Sequence, residues 1–240
     1  WSSGRIFRPL SAAGRDQRGP SSGLFRPGLD PRQAVLSAWP GAALSNSGFP
    51  CCRVTLNQGM AKLYFNYSTM NAGKSTVLLQ AAYNYRENNM EPYLLAARID
   101  NRAGEGRIAS RIGISAEADT FTAEDDLFAM VEARLAKAEA ACIFVDEAQF
   151  LTRDQAWQLA RVVDDLKLPV LCYGLRVDFR GELFPGSATL LALADEMREV
   201  RTICRCGRKA TMVIRQDENG NAITEGAQVQ IGGNETYVSL

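Results

Sequence analysis

Apolar positions along this chain fall into two spacings, and their alternation sets the expected fold. Leu63-Tyr64-Phe65-Asn66-Tyr67 reads as a strand, Thr76 to Tyr85 places apolar groups at helical spacing and fades near Asn88-Asn89, and Pro92 to Ala97 reads as a second strand. Strand, helix, strand is a βαβ unit, which implies a parallel sheet. Thr122-Ala123-Glu124-Asp125 carries a capping-box signature and predicts a helix through about Glu139. Cys142-Ile143-Phe144-Val145-Asp146 is a short apolar run ending in a carboxylate, as expected of a buried parallel strand that delivers an acid to the sheet's C-terminal edge. Thr152 to Gln155 caps a further helix running to about Leu166, and Pro169 to Gly174 is the next buried strand. After that the pattern changes. Arg201–Cys206 and Ala210–Gln216 read as strands of a small β element, with Asp217-Glu218-Asn219-Gly220-Asn221 as a hairpin turn.

Between these elements the chain is polar. Residues 100–115 form a Gly-containing stretch with Asp100, Arg102, Arg107 and Arg111, which composition reads equally as a functional loop or a solvated connection. Residues 1–59 hold most of the prolines and no sustained period, and are expected to be disordered or outside the fold. Their Arg-rich, acid-poor make-up suits an organelle transit peptide or upstream DNA translated in frame with Met60 as the true start; the second reading is the one adopted. The expected organisation is an extension at 1–59, a main α/β domain at 60–195 and a minor β domain at 196–240.

Charge and cysteine content narrow the partners. The net charge is zero, but residues 1–59 carry seven Arg against two Asp, which leaves 20 basic and 25 acidic residues from Met60 onward. A mildly acidic body disfavours a nucleic-acid partner. No window is long and apolar enough for a membrane span. Histidine is absent, which excludes a His base, a His ligand and a Ser-His-Asp triad. Six cysteines without a secreted spacing pattern, two of them inside apolar runs, point to a reducing cytoplasm.

The chemistry concentrates where the first strand meets the first helix. Ser68-Thr69-Met70-Asn71-Ala72-Gly73-Lys74-Ser75 follows the phosphate-loop form G-x-x-x-x-G-K-[ST], with Ser68 in place of the first glycine. Small residues let backbone N–H groups turn toward phosphates, and the helix start adds the positive end of its dipole. Lys74 would then reach the phosphate oxygens and the Ser75 hydroxyl would ligate Mg²⁺. The plainer alternative is Gly-Lys-Ser at an ordinary helix start. Asp146 is placed to hold Mg²⁺ from the neighbouring strand, while Glu147 is available to accept a proton from an attacking hydroxyl. A solvated turn is the alternative for that pair.

Three motifs in order then mark a resemblance: the Ser68–Ser75 loop, Asp146-Glu147-Ala148-Gln149-Phe150, and Gly174-Leu175-Arg176-Val177-Asp178-Phe179-Arg180. From Met60 onward the chain is similar to the cytosolic (type II) thymidine kinases of bacteria and animal cells, close to the enterobacterial form. The resemblance implies a phosphate-loop, RecA-like parallel sheet flanked by helices, with a small C-terminal zinc-ribbon and lasso domain. It implies transfer of the ATP γ-phosphoryl group to the 5′-hydroxyl of deoxythymidine with Mg²⁺, by a cytoplasmic homotetramer that has no nucleic-acid or membrane partner. Glu147 takes the role of general base. Asp100 and Arg102 match an Asp-x-Arg that contacts nucleoside and phosphates, and Asp146, Glu147, Ala148 and Gln149 border the ATP and metal site. Met70, Phe150, Leu175, Phe179 and Phe184 fall where thymine is packed; ordinary core is the weaker alternative for Phe179 and Phe184. The lasso corresponds to Gln228-Val229-Gln230-Ile231-Gly232, with Tyr237 following.

Two departures accompany the resemblance. Ser68 replaces a glycine, a mild change. Cys204 and Cys206 match the first pair of a zinc ribbon, whereas the second pair would fall beyond Leu240, so a partial, truncated zinc site is expected; two exposed thiols on a turn are the alternative. Two other functions share parts of the pattern: a RecA-like ATPase using water as acceptor, and a truncated fragment that binds nucleotide without full activity.

Overall fold

The computed structural model describes residues 61–99, 106–229 and 236–240. Its centre is a six-stranded, all-parallel sheet. β1 (Leu63–Ser68) leads through the phosphate loop into α1 (Lys74–Glu87), which returns to β2 (Pro92–Ala97), the expected βαβ unit. A short hairpin follows, β3 (Arg107–Ala109) with β4 (Ser115–Glu117), and then β5 (Asp119–Phe121). The chain continues through α2 (Leu127–Leu135), β6 (Cys142–Asp146), a 3-10 turn at Ala148–Phe150, α3 (Arg153–Leu166) and β7 (Val170–Leu175). α4 (Pro185–Leu193) and β8 (Glu196–Glu199) complete the main body. The sheet order is β5-β2-β6-β7-β1-β8.

Period-two alternation explains how this sheet is covered on both faces. Ile143 and Val145 of β6, with Tyr93, Leu95 and Ala97 of β2, face one core together with Leu159 and Val162 of α3 and Leu127 and Val131 of α2. Cys142 and Phe144, with Leu94 and Ala96, face the other core under Leu78, Leu79 and Ala82 of α1. A strand buried on both faces reads as a continuous apolar run, which is why β2 and β6 stand out in the sequence.

The small C-terminal sheet pairs β9 (Val213–Gln216) with β10 (Ala222–Ile223) and β11 (Tyr237–Ser239), both antiparallel. The expected turn at 217–221 closes the β9–β10 hairpin, with Asp217 Oδ1 accepting from the backbone N–H groups of Asn219 and Asn221.

Three expectations shift. Residues 201–206 are not a strand: Ile203 and Lys209 make an isolated bridge around a tight turn in which the Cys204 N–H donates to the Arg208 carbonyl at 2.7 Å. α2 starts at Asp126 rather than Thr122, because Asp125 Oδ2 accepts from the Thr122 N–H and hydroxyl and closes a separate turn. Asp126 then caps the helix by accepting from the Ala129 N–H, and the helix stops at Leu135, short of Glu139. The polar stretch that ends at residue 115 holds β3 and the turn of the β3–β4 hairpin, whose second strand begins at Ser115. The capping box at Thr152 and Gln155 is present with both reciprocal hydrogen bonds.

Candidate active site

The C-terminal ends of β1, β6 and β7 lie side by side, so three loops converge on one edge of the sheet. After β1, the chain turns through Asn71 and Gly73, at φ 60° and 76°, before α1 begins. Gly73 at this left-handed position avoids the penalty a side chain would meet there. Lys74 opens the helix, is buried, and extends Nζ back across the loop to donate to the Thr69 carbonyl at 3.3 Å.

The end of β6 supplies the acids. The Ser75 hydroxyl donates to Asp146 Oδ2 at 2.8 Å, joining the first turn of α1 to the sheet edge. Asp146 Oδ1 accepts from the Glu147 N–H at 3.0 Å. Burial, above all, holds the Asp146 carboxyl above its ordinary range, and the neighbouring Glu147 charge pushes it further; Ser75, the Glu147 N–H and Lys74 act against the rise. Glu147 itself sits at φ 51°, the left-handed region that residues with a Cβ rarely adopt. Gln149 Nε2 donates to Glu147 Oε2 at 2.6 Å.

These groups surround one cavity of about 870 Å³. Met70, Asn71, Ala72, Gly73, Lys74 and Ser75 line it on one side, and Asp146, Glu147 and Gln149 line its floor. Phe150, Leu175, Phe179 and Phe184 form an apolar wall, with Phe150 and Phe184 edge to face at 6.3 Å. Gln228 and Val229, after β10, and Tyr237 of β11 complete its lining. Ser68 and Thr69 lie behind the loop instead, where the Ser68 hydroxyl donates to the Thr69 carbonyl, and Ala148 is buried beneath the floor. Asp100, Arg102, Gln230, Ile231 and Gly232 lie outside the described residues.

Further side chains line or surround the cavity beyond the expected site residues. Arg107 to Ile112 bring the β3–β4 hairpin over the phosphate loop, and the Arg111 guanidinium donates to Asn71 Oδ1. Arg215 of β9, only 4% exposed, stacks on Phe179 and donates to the Tyr237 hydroxyl and the Ala227 carbonyl. Asp178 accepts from the backbone N–H groups of Arg180 and Glu182 and from Gln228 Nε2. Burial alone would raise its carboxyl; those donors outweigh it and leave it below the usual range. The C-terminal region also grips the phosphate loop: the Ser239 hydroxyl of β11 donates to the Met70 carbonyl at 2.7 Å, and the Thr202 hydroxyl, ahead of the C-terminal sheet, donates to the Asn71 carbonyl at 3.3 Å.

Cys204 and Cys206 share a turn, with the Cys206 N–H donating to Cys204 Sγ at 3.4 Å. Two thiolates are half of a tetrahedral set. Among the described residues no group of three or more potential ligands surrounds them, so the residues present do not complete a zinc site. Ser75 and Asp146 are different: two hard oxygen donors in contact, one of them a buried carboxylate whose charge a cation would relieve, suit Mg²⁺.

A phosphate loop and a strand-end carboxylate pair meeting on an all-parallel sheet define a nucleotide-dependent phosphoryl-transfer fold. Within that class the chain belongs to the thymidine kinase family, whose model matches residues 61–240. It is 79% identical over 181 residues to the thymidine kinase of Ruegeria pomeroyi, covering 75% of this chain and 91% of that one. Identity to the thymidine kinase of Jannaschia sp. is 74% over 181 residues, with 75% and 93% covered. For the thymidine kinase of Pasteurella multocida it is 58% over 181 residues, with 75% and 94% covered. Among the described residues no helix is long and apolar enough to cross a membrane.

Proposed function

We propose that this chain is an ATP-dependent thymidine kinase that transfers the γ-phosphoryl group to the 5′-hydroxyl of deoxythymidine, giving dTMP and ADP. The observation that carries the reading is that Lys74 and Glu147, from separate strand ends, line one cavity. Backbone N–H groups of residues 70–75 bind the phosphates, and Lys74 sits on the transferring oxygens. Mg²⁺, held through Ser75 and Asp146, would supply charge neutralisation at the β- and γ-phosphates. Glu147 accepts the proton of the acceptor hydroxyl and keeps that oxygen in line. Asp100 and Arg102 are assigned to the phosphates and nucleoside.

Thymine carries two carbonyls, one N–H and a methyl group, so an apolar slot with backbone partners recognises it. Phe150, Phe179 and Phe184, with Met70 and Leu175, provide the slot. Gln228 to Gly232 and Tyr237 cover the nucleoside as the lasso. The proposal extends to a cytoplasmic homotetramer without nucleic-acid or membrane partners. Cys204 and Cys206 enter no step.

The test is ADP release by the purified full chain with ATP and Mg²⁺. Stimulation by deoxythymidine, with dTMP formed in equal amount, supports the kinase. Release that only DNA stimulates, or ATP binding without turnover, rejects it in favour of the ATPase or the inactive fragment.

A further inference from the structure

Gln149 lies in the 3-10 turn two residues after Glu147 and is 2% exposed. A primary amide that deep needs partners at both ends. Its Oε1 accepts from the backbone N–H of Leu175 at 2.9 Å, and its Nε2 donates to Glu147 Oε2 at 2.6 Å. The orientation follows from chemistry: a backbone N–H can only donate and a carboxylate can only accept, so the opposite amide placement would set like against like at both ends. Leu175 is the last residue of β7, in register with Ser68 at the end of β1, and its carbonyl accepts from the buried hydroxyl of Ser187. The amide therefore links the Glu147 carboxylate to the sheet edge itself.

Glu147 needs such a link. It stands at a left-handed backbone position just past the end of β6, and a carboxylate on three rotatable bonds samples several rotamers unless it is held. A base that must meet one hydroxyl in line works only if its geometry is held within about 0.5 Å. The amide is neutral, so it orients the carboxylate without placing a full charge beside Asp146.

The geometry points to Gln149 as a positioning residue for the transfer step, acting through Glu147 rather than on the nucleotide or metal. This rests on the reading of Glu147 as general base, and it gives Gln149 a different task from bordering the ATP site.

The experiment is a double-mutant cycle in the full chain. Gln149→Met keeps the length and removes both polar ends. It is expected to lower kcat about 10- to 100-fold, as removal of a group that orients a reacting one does, with the KM for thymidine and for ATP each changing less than about threefold. In a Glu147→Gln background the same change is expected to lower kcat by less than about threefold, because the carboxylate it orients is gone. Losses that multiply would overturn the inference, as would KM increases with kcat preserved. Should Gln149→Met fail to fold, Gln149→Asn replaces it: one methylene shorter, its amide cannot span Leu175 and Glu147 together, and the same kcat loss is expected. Wild-type kcat in that variant also overturns the inference. The two readings separate cleanly. Full turnover by Glu147→Gln sinks the base, whereas an impaired Glu147→Gln beside an unimpaired Gln149 variant sinks only the positioning role.

Discussion

Arg215 holds its guanidinium 4.0 Å over the centre of the Phe179 ring and 5.3 Å from that of Tyr237. One cation thus fixes two aromatic walls of the cavity, one from the loop after β7 and one from β11. Its Nη2 also donates to Tyr237 Oη at 2.8 Å. Stacking of this kind contributes roughly 0.5–2 kcal/mol. Arg215→Met should therefore raise the KM for thymidine about tenfold while leaving the KM for ATP within about twofold. Arg215→Lys, which lacks the planar fork, should recover only part of the loss. Steady-state kinetics with each substrate varied separately checks this. Equal effects on both KM values would disconnect Arg215 from the acceptor.

Ser75→Ala removes the hydroxyl that contacts Asp146 Oδ2. If that oxygen helps hold Mg²⁺, the metal concentration for half-maximal turnover should rise more than about tenfold, and kcat at saturating metal should fall by about 10- to 100-fold. A Mg²⁺ titration at fixed ATP is the measurement. An unchanged titration would remove Ser75 from the metal's surroundings.

Glu147 occupies a left-handed backbone position that costs roughly 1–2 kcal/mol for a residue with a Cβ. Glu147→Gly relieves that strain but gives up some unfolded-state restriction, about 0.4–1 kcal/mol. It also leaves the buried Gln149 amide without its carboxylate partner, which costs about 1–3 kcal/mol. The variant should therefore be less stable than the parent, by about 1–2 kcal/mol, while its turnover falls about 10²- to 10⁴-fold. Thermal unfolding and ADP release, measured on the same preparation, test the pairing. A variant more stable than the parent would show that the amide finds another partner.

A methyl group at Gly186 would lie 2.7 Å from the carbonyl oxygens of both Ala148 and Leu151. These are backbone atoms of the turn that follows Glu147, and they cannot swing aside. Gly186→Ala should destabilise the fold by about 1–3 kcal/mol, lowering the thermal midpoint by several degrees. An unchanged midpoint would show that α4 is free to retreat from the turn.

Thiol reactivity should separate the described cysteines. The backbone N–H of Arg208, then the neighbouring Cys204, hold the exposed Cys206 thiol below its ordinary value. Burial pushes Cys142 up to about 12 and raises Cys172 as well. The lowered group gains thiolate at neutral pH and the raised groups lose it, so iodoacetamide at pH 7 should label Cys206 well before Cys142 or Cys172. Peptide mass spectrometry at timed intervals checks the order. Labelling of Cys142 first would contradict it.

Much of the main sheet was legible because β2, β6 and β7 are buried on both faces and their apolar runs have no other explanation. The phosphate loop and the Asp146-Glu147 pair were legible for a related reason, since their positions at strand ends follow from those runs. β8 was not legible: Glu196-Met197-Arg198-Glu199 is polar, and only pairing with β1 at the sheet's margin makes it a strand. α4 was hidden by its composition, Pro185-Gly186-Ser187-Ala188-Thr189, in which small residues are chosen for close packing rather than for helical periodicity. Arg215 was the hardest to foresee. Its place in a short alternating strand suggests an exposed charge, and only the tertiary arrangement puts two aromatic rings around it.

β11 ties two parts of the molecule together. Tyr237 lines the cavity, and two positions later Ser239 is fastened to the Met70 carbonyl. One three-residue ribbon therefore joins the far wall of the cavity to the phosphate loop, so a substitution that displaces this strand reaches both at once.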